Sequence, residues 1–393
     1  MSGKEVYLDS CKTSRLAPEV LDAMMPYLTD KYWYPGSFTS IGTEIAEVIE
    51  QAQETVAHSM NAKPEEITFT SGGTDANNIA ILGILQANKE RGRHFICSNV
   101  SHPSVLAVFQ GMEKQGFEGT YISADRDGYL DLDELKAAIR PDTILAAFTH
   151  VNHILGTIQD VKAIRNILDQ ADHKIYLFMD SCEAYTKIPL DVRELGIDSL
   201  SISVHKFNGP KGMGILYVKK GTKIVPTQFG ITRLYKLKPG AINVPGIVGT
   251  AKAVEIAFTD FDKKTERFRE LQKFLYDEIM TRIPDAVLNG PPPGERSPTH
   301  LNVTFRYIEG EAIMMMLDFD NIHVETGSAC SSQNLRPNYI LMNTGRTHEE
   351  SHGSVRFTLD RFVTKEDILK TVDALEKTAK ELRRRSPLGK KEQ

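Results

Sequence analysis

Short apolar runs alternate with segments of helical periodicity through roughly the first 260 residues of the chain. Apolar runs of about four to eight residues are typical of buried strands, and apolar residues spaced three or four apart are typical of helices packed on a core. This alternation favours an α/β fold with a mostly parallel central sheet and helices on both faces. The predicted strands are 65–70, 93–98, 117–123, 144–151, 174–180, 199–204 and 213–220, and the predicted helices are 45–60, 75–90, 132–140 and 161–171.

The pattern changes after about residue 250. One long charged helix is predicted over residues 250–283, followed by a loop rich in proline and glycine. The remaining predicted elements are strands at 301–307 and 354–359, a helix at 309–319 and a final helix from Lys365. This order indicates a second, smaller α+β domain. We expect a large domain over residues 15–258 and a small domain made of residues 1–14 and 259–393.

Composition and charge narrow the class of protein. Of 393 residues, 41% are hydrophobic and 25% are charged, and the net charge is −5. These values are typical of a globular protein and provide no basic surface for nucleic acid. No apolar run is long enough to span a membrane, and the opening MSGKEVYLDS resembles neither a secretory signal nor a transit peptide. We therefore expect a cytoplasmic protein that binds neither membranes nor nucleic acid directly.

Neither the cysteines nor an acidic loop predicts a metal site. Residues 123–134 resemble a calcium loop, but Ser123 stands where an aspartate ligand is needed, and no helix is predicted to enter the loop. A tight turn followed by an acidic helix N-terminus explains the same residues. The four cysteines are far apart and lack metal-ligand spacing, as expected for reduced thiols: Cys11, Cys97, Cys182 and Cys330.

A lysine follows one predicted strand at the edge of the sheet where α/β proteins bind ligands. Strand 199–204 is followed by His205, Lys206 and a turn rich in glycine and proline. A desolvated lysine there loses its proton more easily and can form an imine with a carbonyl compound. Lys206 is therefore a candidate for a Schiff base with pyridoxal phosphate (PLP), although a lysine in a turn, taken alone, is more often a surface residue.

Three other strand ends carry groups that suit the same cofactor. The backbone N–H groups of Gly73 and Thr74 begin a predicted helix and can bind a phosphate, although a capped helix would look the same. Asp180 ends an apolar strand, where an acid can bind the pyridine nitrogen of PLP. His102 follows another strand, where an imidazole can stack on the ring and exchange protons. Each signal is weak alone, but core packing does not require the combination.

With these residues in place, the chain resembles the fold-type I PLP enzymes and, more narrowly, the cysteine desulfurases. The similarity runs nearly from end to end, through TFTSGGTDANN, THVN, EGEA and SVRFTLDRF. Its most specific parts are HKFNGPKG, which contains Lys206, and TGSACSS, which contains Cys330 and precedes a strand with Arg356.

The resemblance implies a role for each matching residue. Cys330 would take sulfur from L-cysteine as a persulfide for a sulfur acceptor or scaffold protein, and Ser and Gly around it would keep the thiol exposed. Arg356 would bind the substrate carboxylate, for which a planar two-pronged donor is suited. The resemblance further implies a homodimer, a substrate contact at Asn152, and cofactor contacts at Ser203 and His205.

Four departures from the family pattern fall near the expected cofactor. Where the family has neutral amides beside the ring hydroxyl, this chain has His153 and Glu183, a pair of changes that could compensate each other. A threonine expected to reach the phosphate of the neighbouring subunit is replaced by Ala241, and the opening at residues 9–15 reads DSCKTSR. The cofactor contacts and the effects of these four departures are predictions that the structure can be compared with.

The sequence leaves other functions open. Another PLP reaction on an amino acid, such as selenocysteine lysis, β-elimination or transamination, fits the same cofactor residues. A catalytically impaired scaffold in a sulfur-transfer complex is a further alternative. The sequence does not specify the sulfur acceptor. It also does not specify whether the sulfur serves iron–sulfur cluster assembly or tRNA thiolation.

Overall fold

The computed structural model describes residues 4–230, 236–326 and 337–386, and Cys330 lies outside these ranges. Within them the helices are α1 (Pro18–Thr29), α2 (Ser40–His58), α3 (Gly73–Asn88), α4 (Pro103–Glu113), α5 (Leu132–Ala138), α6 (Val161–Leu168), α7 (Val244–Phe258), α8 (Phe261–Arg282), α9 (Gly310–Phe319), α10 (Tyr339–Asn343), α11 (His348–His352) and α12 (Lys365–Arg385). The strands are β1 (Val6–Tyr7), β2 (Ile67–Thr70), β3 (His94–Ser98), β4 (Glu118–Ile122), β5 (Thr143–Thr149), β6 (Tyr176–Asp180), β7 (Ser199–Ser203), β8 (Gly214–Val218), β9 (Ala286–Asn289), β10 (His300–Phe305), β11 (Ile322–His323), β12 (Glu325–Thr326) and β13 (Ser354–Thr358).

A seven-stranded sheet in the order β2-β8-β7-β6-β5-β3-β4 forms the centre of the molecule. Only β8 runs against the others, since it pairs antiparallel with both β7 and β2. Side chains along the central strands alternate between two apolar cores, as Phe95 and Ile96 do in β3, because successive residues of a strand face opposite sides. Helices α3 and α4 cover one face, and α2, α6 and α7 cover the other. The prediction of a mostly parallel α/β fold is confirmed.

The prediction of one continuous helix over residues 250–283 is wrong, because the structure divides this segment between two helices. Helix α7 begins at Val244, is capped by Asn243, and ends at Phe258. Asp260 adopts a left-handed conformation with φ of 52°, which a continuous helix does not allow. The two helices contact different partners, α1 and α2 for α7 and α12 for α8. One straight helix could not turn its apolar side toward both cores.

A second, antiparallel sheet in the order β12-β13-β10-β9 packs with α8, α9 and α12 around a separate apolar core. The N-terminal segment joins the two sheets. Val6 pairs with Ile322, and Asp9 forms a bridge with Thr358 at the end of β13. Farther along, the Ser14 N–H donates to the His205 carbonyl at 2.7 Å, beside the large sheet. Residues 9–14 are thereby held between the two sheets.

No helix in the described part of the chain is long and apolar enough to cross a membrane.

Candidate active site

The carboxyl ends of five strands of the large sheet meet at one cavity of about 550 Å³. This edge is where open α/β sheets bind ligands, because the loops that leave parallel strands converge there. The small sheet contributes the remaining wall. Nearly all of the described residues predicted for the site line this cavity: Gly73, Thr74, His102, His153, Asp180, Glu183, Ser203, His205, Lys206 and Arg356.

Lys206 follows β7 and is held by Glu183, whose loop follows β6. The Lys206 Nζ donates to Glu183 Oε1 at 2.6 Å. Lys187 approaches the other side of the same carboxylate, with its Nζ 2.7 Å from Oε2, and all three side chains are largely buried. Burial by itself would raise the pKa of Glu183, but Lys187 and Lys206 hold it well below the usual range. Burial would lower the pKa of Lys206, whereas the charge of Glu183 raises it well above the ordinary value.

Cys11 and His300 complete the surroundings of Glu183. The Cys11 Sγ donates to Glu183 Oε1 at 3.1 Å, and His300 Nε2 lies 3.4 Å from Oε2 without hydrogen-bond geometry. Their ligand atoms lie within 4.8 Å of one another, a spacing that a metal could use. Burial, however, raises the pKa of Cys11 to about 11, so the thiol keeps its proton, and two lysines already neutralise the carboxylate. We assign no metal to this cluster.

The N-terminus of α3 forms an anion cradle at one end of the cavity. The Gly73 N–H donates to Ser203 Oγ at 2.9 Å, which fixes the helix start against the end of β7. A Cβ atom on Gly73 would lie 2.6 Å from both Ser203 Oγ and Cys182 Sγ, so only glycine permits this approach. The 16-residue helix directs its free N–H groups and the positive end of its dipole toward the cavity.

Asp180 and His102 are linked by a hydrogen-bond network that crosses the cavity floor. Asn77, one turn along α3, donates from Nδ2 to Asp180 Oδ2 at 3.2 Å and to Ser104 Oγ at 2.8 Å. Ser104 in turn lies 2.7 Å from His102 Nδ1, which also accepts from the Ser104 backbone N–H. In the neutral imidazole the proton is therefore on Nε2. Burial lowers the pKa of His102, while Asp180 acts in the opposite direction.

His153 lies edge-on to His102, with their ring centroids 4.8 Å apart. Its Nδ1 is buried and has no hydrogen-bond partner among the described residues. Burial holds the pKa of His153 well below the usual range, and the nearby His102 lowers it further. In the described part of the chain no hydrogen bond joins His153 to Glu183, because Glu183 is bound by Lys187, Lys206 and Cys11. The two departures from the family pattern share the cavity but are not joined by a hydrogen bond among the described residues.

Arg356 reaches the cavity from β13 and is anchored on both sides. Its Nη2 donates to Asp9 Oδ1 at 2.8 Å, and its Nη1 donates to the His153 carbonyl at 3.0 Å. The predicted substrate residue Asn152 lies beneath the cavity wall. Its side chain accepts from the Ile154 and Leu155 N–H groups and donates to the Val100 carbonyl. Asn152 thus shapes the loop that presents His153, and a substrate contact at Asn152 stays a prediction.

These residues fit PLP. The cradle at α3 suits its phosphate, and Asp180, which lines the same cavity, offers a carboxylate oxygen for a protonated pyridine nitrogen. Lys206 supplies the primary amine. Two buried polar atoms on the cavity wall, Thr149 Oγ1 and His153 Nδ1, lack partners among the described residues and are available to a polar ligand.

Several residues in or beside the cavity were not predicted as site residues from the sequence. Cys11 lines the cavity, Asp9 pairs with Arg356, and His300 lies beside Glu183. The sequence marks Asp9 and Cys11 only through the altered opening at residues 9–15, and no motif marks His300. Lys187 could have been found, because a lysine four residues after an acid is a common pairing distance. Asn77 could have been inferred from its position on the first turns of α3, on the same side as the cradle.

Comparison with known proteins agrees with this geometry. The family model for aminotransferase class-V matches residues 6–370. A protein named cysteine desulfurase IscS from Dictyoglomus turgidum is 44% identical over 384 residues, 98% of this chain and 97% of the relative. Human cysteine desulfurase is 37% identical, covering 98% of this chain and 84% of the relative.

Solved structures extend the comparison to the fold. A NifS-like protein superposes with a TM-score of 0.90 and 30% identity, covering 96% of this chain and 100% of the other. The structure of SspA in complex with cysteine gives a TM-score of 0.79 and 29% identity, covering 92% of this chain and 100% of the other. The predicted resemblance is confirmed: the chain belongs to the aminotransferase class-V family, and within it to the PLP-dependent cysteine desulfurases.

Proposed function

We propose that this enzyme converts L-cysteine to L-alanine and leaves the sulfur as a persulfide on Cys330 for an acceptor or scaffold protein. The observation that carries the proposal is the joint position of Lys206, Asp180 and the α3 cradle around one cavity, with Arg356 entering from the small sheet. The relative that was solved as a complex with cysteine supports the substrate class.

Each residue has a role that its contacts support. The phosphate of the cofactor would be held by Gly73, Thr74, Ser203 and His205. Asp180 would bind the pyridine nitrogen, and Lys206 would bond to the reactive carbonyl carbon. Bound there, PLP withdraws electrons from the substrate carbon that bears the amino group. A lysine freed by the substrate can then hold the proton lost from that carbon.

The other side chains bind and orient the amino acid. Arg356 would bind the substrate carboxylate, with its guanidinium oriented by Asp9. The buried His102 stays neutral near pH 7 and carries its proton on Nε2, so it can exchange one with the substrate thiol. Cys330 attacks the substrate sulfur, and the carbon–sulfur bond breaks with its electron pair left on carbon. The carbon skeleton takes up one proton at Cβ, regains the proton on the carbon that bears the amino group, and leaves as alanine.

The experiment is turnover with L-cysteine followed by peptide mass spectrometry. We expect one extra sulfur atom on the peptide that contains Cys330, and one alanine released for each sulfur removed. Cys330→Ser should lose the extra sulfur and slow alanine release by at least about a hundredfold, while its visible cofactor absorbance persists. An extra sulfur on Cys11 or Cys182 would contradict the assignment. Elimination products such as pyruvate would indicate the rival reactions.

The domain division proposed from the sequence assigns residues 15–258 to the large domain and residues 1–14 with 259–393 to the small one. The break between α7 and α8 supports it, as do the separate apolar cores. A cytoplasmic, reducing location is supported by three buried free thiols, Cys11, Cys97 and Cys182.

We also propose a homodimer, supported by exposed apolar side chains on α1 and in the loop that follows it. Leu21, Met25 and Leu28 form a stripe along α1, and Tyr32 and Phe38 in the following loop are 75% and 92% exposed. Contiguous apolar surface of this kind is usually covered in a stable protein. The family resemblance implies that each active site lies at the boundary with a second copy of the chain, where residue 241 would approach the neighbouring phosphate site.

Replacing Ala241 with threonine should tighten PLP binding. A threonine hydroxyl could donate to the cofactor phosphate across the dimer boundary, and one bond to a charged group corresponds to a roughly ten- to hundredfold lower Kd. The Kd can be measured by titrating apoprotein with PLP. Ala241→Val is the matched control, since it adds the branched shape without the hydroxyl. Equal Kd values for the two variants would contradict the phosphate contact. Lys238, whose Nζ is 2.7 Å from Asp75 at the start of α3, would then be the next candidate.

A further inference from the structure

Lys187 is a buried lysine whose only carboxylate partner in the described residues is also the partner of Lys206. Its side chain is 5% exposed, that of Glu183 is 2% exposed, and the two are joined at 2.7 Å through Oε2. The other oxygen, Oε1, binds Lys206 Nζ at 2.6 Å. One carboxylate therefore lies between two ammonium groups in a site that water barely reaches. Charges buried in this way require partners, because an unpaired one is strongly destabilising.

The other groups that face Glu183 do not change this balance of charge. Cys11, from the N-terminal segment, stays a neutral thiol because burial raises its pKa to about 11. His300, from β10, stays a neutral imidazole because burial lowers its pKa to about 4. Arg356, from β13, is bound to Asp9 at 2.8 Å. Around neutral pH the cluster at Glu183 thus contains one acid and two cations.

The chemistry of Lys206 removes one of those cations. A lysine reacts with a carbonyl group only as the uncharged amine, so cofactor attachment requires Lys206 to lose its proton. If Lys206 were the sole partner of Glu183, that loss would leave an unpaired carboxylate in the protein interior. Glu183 would then oppose the reaction by holding the proton on Lys206. Lys187 is bound to the opposite oxygen and takes no part in that reaction.

We propose that Lys187 is a positioning residue, the permanent counter-ion that keeps Glu183 paired when Lys206 gives up its charge. The inference rests on the proposed attachment of the cofactor at Lys206 and explains how this chain accommodates a carboxylate where its relatives' pattern has a neutral amide. It assigns Lys187 no contact with substrate or cofactor. Its effect passes entirely through Glu183.

The test is a double-mutant cycle read by PLP affinity. The Kd of apoprotein for PLP is measured between about pH 6 and 10 for the parent, Lys187→Met, Glu183→Gln and the double variant. Lys187→Met should weaken binding at neutral pH by at least about tenfold and shift the binding curve to higher pH, since Glu183 then holds the Lys206 proton more tightly. Glu183→Gln should shift the curve to lower pH. The double variant should bind within about threefold of Glu183→Gln, because a neutral amide needs no counter-ion.

Two further variants separate this role from a purely structural one. Lys174 also pairs with a buried acid, Asp198, at 2.8 Å, but at the opposite edge of the sheet. Lys174→Met should lower the thermal midpoint and leave the PLP Kd unchanged. If Lys187→Met does not fold, Lys187→Gln takes its place, because it keeps a donor toward Glu183 without the charge. The proposal would be overturned if Lys187→Met left the PLP Kd and its pH dependence unchanged. It would also be overturned if Lys187→Met weakened PLP binding to the same extent in the Glu183→Gln background.

Failure of the inference and failure of the proposed function give different results. Borohydride reduction followed by peptide mapping identifies the lysine that holds the cofactor. A label on a lysine other than Lys206 defeats the proposed attachment. A label on Lys206 together with a Kd that does not respond to Lys187 defeats only the role of Lys187.

Discussion

Lys206→Ala is expected to remove every borohydride-reducible link between the protein and PLP. Turnover of L-cysteine should fall by at least about a thousandfold, equivalent to about 4 kcal/mol of transition-state stabilisation. The variant should still fold, because Glu183 keeps Lys187 as its partner at 2.7 Å. The loss will therefore report on the chemistry of the amine and not on the stability of the cavity. Reduction, peptide mapping and an alanine assay measure the two effects.

Lys220→Ala is the matched control for that experiment. Lys220 is an exposed lysine just beyond the far end of β8, 3.8 Å from Glu65 on the surface. It should retain the parent's reducible cofactor and turnover. A reducible cofactor that persists in Lys206→Ala would show that another lysine forms the link.

Acid should destabilise the enzyme steeply between about pH 6.5 and 4, and two fully buried histidines should make large contributions. Burial lowers the pKa of His150 and of His300 to about 4 in the folded protein. The unfolded chain takes up these protons near pH 6.5, so it binds more protons than the folded chain throughout this interval and stability falls as the pH falls. Each histidine should cost roughly 3 kcal/mol of unfolding free energy over the interval. Urea unfolding at several pH values measures the loss.

The variant His150→Asn isolates the contribution of one of these histidines to the pH dependence of stability. The amide retains a polar atom near the position of Nδ1, which lies 3.4 Å from Ser181 Oγ, but it does not titrate. The free energy of unfolding of this variant should depend on pH less steeply, by about one proton or 1.4 kcal/mol per pH unit near pH 5. Parallel curves for parent and variant would show that His150 does not drive the acid sensitivity.

The central sheet and the position of Lys206 at the cavity were predictable because the information is local. Each strand of the sheet is a short apolar run, and Lys206, Asp180 and Gly73 follow such runs directly. Strand ends in a parallel sheet meet at one edge, so local position in the sequence predicts proximity in space. The family resemblance then added Arg356, which reaches the cavity from the other sheet.

The parts that escaped prediction depend on contacts between distant segments. Cys11 and His300 approach Glu183 from the N-terminal segment and from β10. Cys11 lies in the altered opening at residues 9–15, which indicates no contact with Glu183, and His300 lies in no recognisable motif. The break between the two helices near Asp260 was not predicted for a related reason. Local periodicity predicts a helix on both sides of that residue, whereas the break depends on which core each half contacts. Sequence patterns of short range carry no information about such choices.

The N-terminal segment that joins the two sheets has a consequence for synthesis on the ribosome. Its hydrogen-bond partners include His205, His323 and Thr358, so residues 6–14 cannot be fixed in place until the chain through β13 has been made. The large sheet needs none of the chain beyond β8 for its pairing and can form earlier. Arg356 and its anchor Asp9 come together only when β13 closes on that segment. The α3 cradle can thus be complete before the small sheet exists, whereas the wall that Arg356 contributes to the cavity is added only after β13 has been made.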